Sequence, residues 1–171
     1  ERAWTDVTRQ CRGLICDNEG WVLARPFPKT FNHSEPEAHT FGADEPVEVT
    51  DKIDGSLAVG LPTPDGLAIA TRGSFTSEQA IHATATYRDR YATTTTVPDG
   101  ITPLWEVVYP ANRIVCDYQG LDDLVLLAGV NIATGEQTSA RDMAKLMHWT
   151  GPVTEEFPFL RFADALAAPP R

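Results

Sequence analysis

Lysine and arginine are scarce. The 171 residues carry 14 basic side chains against 24 acidic ones, a formal net charge of −10 at pH 7. That balance argues against affinity for nucleic acid through a broad basic surface, because neutralising phosphates takes clustered Lys and Arg, so any such contact has to be local. Cysteine is sparser still. Cys11, Cys16 and Cys116 are an odd number with no C-x-x-C pair, which indicates neither a disulfide framework nor a zinc site and favours reduced thiols in a cytosolic protein. Apolar runs approaching the roughly 20 residues of a membrane span are missing, as is a charged-then-apolar leader, so a cytoplasmic location with no membrane partner is expected. There is no internal repeat. His33, His39, His82 and His148 are scattered without ligand spacing and are assigned no metal role. The length suits one domain, or a piece of one.

What is present is mostly strand pattern. Cys11 to Cys16 and Trp21 to Ala24 flank Asp17-Asn18-Glu19-Gly20, whose residue types favour a tight turn, and predict a hairpin. Arg25 to Glu37 holds Pro26, Pro28 and Pro36, which cannot donate to a ladder, and reads as loop. Val47 to Val49, Leu57 to Leu61 and Leu67 to Thr71 resume strand patterning, with Pro62 to Gly66 as a turn. Ser77 is a candidate N-cap for a helix reaching Tyr91, and Ser139, with Asp142 three residues on, caps a second that Gly151-Pro152 stops. Leu104 to Tyr109, Ile114 to Tyr118 and Leu124 to Val130 predict three further strands, and Phe162 to Ala168 a last helix. Helices interposed irregularly among strands, without a βαβ rhythm, predict an α+β domain.

The chemistry concentrates at Lys52-Ile53-Asp54-Gly55-Ser56. A lysine attacks phosphorus only as the free amine, which nearby cations, a metal or desolvation favour. If the segment is extended, Asp54 shares a face with Lys52 and can orient the amine or a metal. Gly55 lets the backbone turn tightly beside a bulky nucleotide. K-x-D-G alone is a loose pattern, equally met by an exposed charged turn before a hairpin.

Further segments follow in order: Cys11-Arg12-Gly13-Leu14; Arg25-Pro26-Phe27-Pro28-Lys29-Thr30-Phe31-Asn32; Thr71-Arg72-Gly73-Ser74; and Trp105-Glu106-Val107-Val108-Tyr109-Pro110-Ala111-Asn112-Arg113-Ile114-Val115. With the lysine run, these resemble RNA ligases of the bacteriophage T4 RNA ligase 1 type, in the covalent nucleotidyltransferase superfamily. The resemblance implies an ATP-dependent ligase in which Lys52 is adenylated and Asp54 and Gly55 flank it. It likewise implies that Arg12 and Lys29 contact the nucleotide and its triphosphate, and that Arg72 approaches sugar or phosphate beside Gly73. Plain alternatives are a surface cation for Arg12 and Lys29 and a strand end for Arg72. Glu106, between apolar Trp105 and Val107, has to be paired if it points inward, which suits a ribose hydroxyl or a metal-bound water. Asn112 and Arg113 fix a turn or bind substrate. Thr30 stands where the pattern more often has an aromatic, leaving Phe31 available for a base.

The resemblance implies a nucleotidyltransferase (ATP-grasp-like) domain with antiparallel sheets over residues 1–171, with ATP and Mg²⁺ as cofactors and RNA ends as substrate. The family's later E-G-x-V and K-x-K strands do not occur after Tyr118. Glu19-Gly20-Trp21-Val22 matches the former locally but precedes the lysine and is explained as turn chemistry. The domain is therefore expected to be incomplete on its C-terminal side, with a further domain or chain supplying those strands. Rival readings are a DNA ligase, a capping-type nucleotidyltransferase, and a nucleotide-binding module that retains Lys52 without turnover.

Overall fold

The computed structural model describes residues 4–168. In chain order its elements are α1 (Asp6–Gln10), β1 (Ile15–Cys16), β2 (Val22–Ala24), β3 (Val49–Thr50), β4 (Ser56–Thr63), β5 (Gly66–Ala70), α2 (Glu78–Arg90) and β6 (Ile101–Val108). After a 3-10 turn at Pro110–Asn112 come β7 (Asp123–Asn131), β8 (Gln137–Ser139), α3 (Ala140–Met147), β9 (Glu156–Phe157) and α4 (Phe162–Leu166). This is an α+β chain whose strands pair antiparallel. It divides into two units, one running up to Lys29 and again over Ile53–Val153, the other comprising Thr30–Lys52 and the residues from Thr154 on.

The first unit is built on a five-stranded sheet in the order β5-β4-β6-β7-β8. One face carries Ala58, Ile69, Trp105, Val107, Leu124 and Leu126, and against it pack Ala83 and Tyr87 of α2, Met143 and Met147 of α3, and Trp149. Burial of such side chains stabilises by roughly 1.5–3 kcal/mol each. The opposite face presents Val59, Leu104 and Val130, with Ala24 of β2, Ile15 of β1 and Phe27 packed on them. Between Leu104 and Trp105 the register slips, since Leu104 pairs with Ala128 and Trp105 with Leu126. A bulge of this kind inverts the inward and outward alternation along β7. Pro103 is tolerated in the central strand because the β4–β6 register ends at Val59↔Leu104, before the proline is reached.

The sequence signals that prove right have identifiable bonds behind them. Asp17 Oδ1 accepts from the backbone N–H of Glu19 (2.9 Å) and Trp21 (2.8 Å), closing the β1–β2 hairpin. Ser77 caps α2 by accepting from Ala80 N–H, and Ser139 caps α3 by accepting from Asp142 N–H. Pairing of Thr63 with Gly66 shortens the expected Pro62 to Gly66 turn to two residues. In the second unit, Val49 pairs with Phe157 and Thr50 with Glu156, and Phe41 stacks on Phe162 with centroids 4.7 Å apart. Residues Pro169, Pro170 and Arg171 lie outside the described residues.

Tyr91, at the C-terminal cap of α2, is buried and donates its phenol to Asp123 Oδ1 at 2.6 Å. Burial and then the Asp123 carboxylate push its pKa upward. A phenol whose folded pKa is raised contributes stability below the unfolded value and loses it as pH climbs toward the folded one. Thermal stability is therefore expected to decline once pH passes about 10, and less steeply in Tyr91→Phe, as calorimetry across alkaline pH would read.

Candidate active site

The lysine run straddles two units. Lys52 is exposed and ends the Thr30–Lys52 segment of the second, while Asp54, Gly55 and Ser56 belong to the first. β3 ends at Thr50 and β4 begins at Ser56, so the extended strand that would set Lys52 and Asp54 on one face is not there. Asp54 has another task. Its Oδ2 accepts from the backbone N–H of Val115 (2.8 Å) and Cys116 (3.2 Å), and its own N–H donates to the Tyr118 hydroxyl at 2.7 Å. Ile114 to Tyr118, expected as a strand, is irregular for that reason: N–H groups a ladder would have used are spent on a carboxylate. Burial raises the pKa of Tyr118, and the N–H it receives from Asp54 opposes that. Asp54→Ala is expected to cost about 1.5–3 kcal/mol and to quicken amide hydrogen exchange at Val115 and Cys116, which mass spectrometry of the 113–118 peptide would read.

Gly55 is wedged against the central strand. Its N–H donates to Glu106 Oε1 at 3.1 Å, and a Cβ placed there would lie 2.5 Å from the Val107 carbonyl oxygen. Only glycine fits so close an approach. Glu106, half-buried, is thus brought to the lysine run, and its register partner across β4 and β6 is Leu57.

Three sequence segments meet at one cavity of about 430 Å³, lined by Arg12, Ser56, Leu57, Arg72, Gly73 and Gln79 among others. Gly13, at φ +84°, allows the meeting, since a Cβ on it would stand 3.3 Å from the Arg72 carbonyl oxygen. Arg72-Gly73 sits at the tip of a tight turn. Thr71 N–H donates to Ser74 O at 2.9 Å and Thr71 Oγ1 to the same oxygen at 3.2 Å, while Thr71 Oγ1 and Ser77 Oγ share a bond of 3.1 Å. Gln79, which nothing in the sequence marked, reaches the cavity from the first turn of α2 and donates to Asn112 Oδ1 at 3.3 Å. Asn112 also bonds Ser56 Oγ (3.2 Å) and the Val107 carbonyl (3.2 Å), tying the start of β4 to the end of β6 and to α2. Of its two readings, the structure supports fixing the chain. Arg113 pairs with Asp117 at 2.9 Å on the surface.

Lys29 does not line this cavity, and its backbone N–H donates to Arg9 O at 2.9 Å. Thr30 and Phe31 belong to the second unit. His82, left unassigned by its spacing, bonds Asp122 at 2.7 Å and stacks on Tyr109. Among the described residues, no three His, Cys, Asp or Glu side chains gather as a metal cage. A divalent ion held by one carboxylate and substrate phosphates, the usual manner of Mg²⁺, needs no such cage, and Glu106, whose Oε1 accepts from Gly55 N–H, is a carboxylate beside the lysine run. No helix among the described residues is long and apolar enough to cross a membrane.

Two arginines in a cavity of ligand size suit a phosphorylated ligand. Comparison with known families gives the matching result, because a sequence model of the T4 RNA ligase 1 type, described as RNA ligase, matches residues 10–165. That span takes in the lysine run, both cavity arginines, Glu106 and both sheet-packed helices, and the chain belongs to this RNA ligase family.

Proposed function

We propose that the chain is the adenylyltransferase domain of an ATP-dependent RNA ligase, with the nucleotidyltransferase fold, and that Lys52 is its covalent nucleophile. The observation that carries this reading is the convergence of Arg12, Ser56 and Arg72-Gly73, from three separated segments, on one cavity. In a chain of net charge −10, the residues described as lining it include neither Asp nor Glu. A polyanionic nucleotide is the ligand such a lining selects.

Lys52 Nζ attacks the α-phosphorus of ATP. The N–P bond forms as the P–O bond to pyrophosphate breaks, and the displaced oxygen keeps the electron pair. Arg12 and Arg72, both lining the cavity, hold the charge that accumulates on the phosphates. Lys29, which does not line the cavity, is given a further cation's role toward the triphosphate by the family resemblance alone. Glu106 takes a ribose hydroxyl or a water bound to the metal, and Gly55 leaves room for the nucleotide beside the chain. Mg²⁺, when bound, shares the neutralisation of the phosphates. AMP then passes from Lys52 to the 5′-phosphate of an RNA end. An RNA 3′-hydroxyl displaces AMP to close the phosphodiester.

The test is incubation of the chain with Mg²⁺ and either ATP or GTP, followed by intact mass and peptide mapping. An AMP adduct on the peptide containing Lys52, with ATP only, supports the reading. A GMP adduct would instead indicate capping chemistry, and nucleotide binding without any adduct would indicate a module that does not turn over.

A further inference from the structure

A second cavity, of about 270 Å³, backs onto the first. The two share Thr71, Arg72 and Gly73 as a common wall. Its other sides are Leu14, Ile15 and Cys16 from the β1 edge, and Phe75, which follows the pinned turn and stays 47% exposed. Neither Asp nor Glu is among the described residues that line it.

We propose that this second cavity is the seat of an unstacked base of the RNA strand being joined, with Phe75 as its stacking platform, a reading that rests on the RNA ligase function proposed above. The acidic chain repels RNA as a whole, so RNA affinity has to come from places where carboxylates are absent and an arginine is present. This wall supplies both. Single-stranded RNA is gripped by aromatic rings that take splayed-out bases and by nearby cations on the backbone. The platform is stiff, since the Thr71 to Ser74 turn is closed by two bonds, and Thr76 N–H donates to Ser74 Oγ at 3.0 Å immediately beyond Phe75. A half-exposed phenylalanine on a stiff turn loses little entropy when a base stacks on it. Arg72, shared by both cavities, is placed to hold the backbone phosphate between a base in one and the nucleotide in the other. Leu14 and Ile15 give the cavity an apolar side for the base.

The experiment measures binding of a 5′-phosphorylated single-stranded RNA oligonucleotide by fluorescence anisotropy, using the parent chain, Phe75→Ala and Phe75→Trp. AMP-adduct formation is followed by intact mass in the same three samples. The expected result is binding about tenfold weaker in Phe75→Ala, binding at parental strength or tighter in Phe75→Trp, and parental adduct yield in both. Parental RNA affinity in Phe75→Ala, or no RNA binding by the parent at low salt, would overturn the inference. So would a raised ATP requirement in Phe75→Ala, because the ring would then serve the adenine. An adduct absent from all three samples, beside RNA binding that still depends on Phe75, would remove the lysyl-AMP reading and leave this surface standing.

Discussion

Lys52→Ala is expected to form no AMP adduct at all, and Lys52→Arg is expected to be equally silent. The first change removes the attacking nitrogen. The second keeps a positive charge, but a guanidinium does not give up its proton in proteins and so offers no free lone pair to phosphorus. If the lysine only attracted the triphosphate, Arg would substitute well and adduct would persist on some other residue. Loss of a covalent nucleophile lowers turnover on the order of 10⁶-fold, far below the detection limit of intact mass. Lys52 is exposed, so neither change should disturb the fold, and unchanged melting curves would confirm that the silence is chemical. Adduct formation by Lys52→Arg would remove Lys52 from the nucleophile's role.

Gly55→Ala is expected to damage stability and chemistry together. The new methyl carbon has to occupy space 2.5 Å from the Val107 carbonyl oxygen and 3.1 Å from Glu106 Cγ, one of them rigid backbone of the central strand. Relief requires β4 to move away from β6, which stretches the Gly55 N–H bond to Glu106 Oε1. Overpacking of this kind costs about 1–3 kcal/mol, a fall in Tm of roughly 2–10 °C for a chain of this size. Ser56, next in the chain, lines the cavity proposed for the nucleotide. Displacement there by about 1 Å is expected to slow adduct formation by around 100-fold. A Tm and an adduct rate both equal to the parent's would show that the strand pair has more slack than the contact implies.

Much of the fold was legible because local chemistry decided it. Ser77 and Ser139 marked helix starts through bonds each makes within its own first turn, and Asp17 marked a hairpin through bonds to residues two and four along. Features settled by distant partners were not legible. The strand expected at Ile114 to Tyr118 has good β residues, but Asp54 takes its amides from elsewhere in the chain. β8 is three polar residues that become a strand only because β7 offers an edge, and the bulge at Trp105 hides the face alternation of Leu124 to Val130. The α1 helix, closed by a reciprocal capping box of Thr5 and Thr8, went unread because Val7 is its single apolar residue and sets no period.

The site shows the same division. Motif resemblance singled out Arg12 and Arg72, yet only the fold reveals that Gly13 lets one backbone lie on the other and brings both to a single cavity. Lys29, marked by the same resemblance, does not line it. Gln79 and Tyr118 carried no sequence signal. Each matters through one partner, Asn112 and Asp54 respectively, that lies far away along the chain.

The pairing of Val49 with Phe157 and Thr50 with Glu156 has a consequence for synthesis. A ribosome makes Lys52 long before it makes the strand that pairs beside it, and β3 has to wait for β9 while β4, β5 and β6 can already associate. Non-local pairings of this sort form late, since the chain between them must first be brought together. The lysine on which the proposed chemistry depends is thus translated well before the strand that pairs with the neighbouring β3, so a nascent chain stalled before Phe157 would own the nucleophile without that pairing.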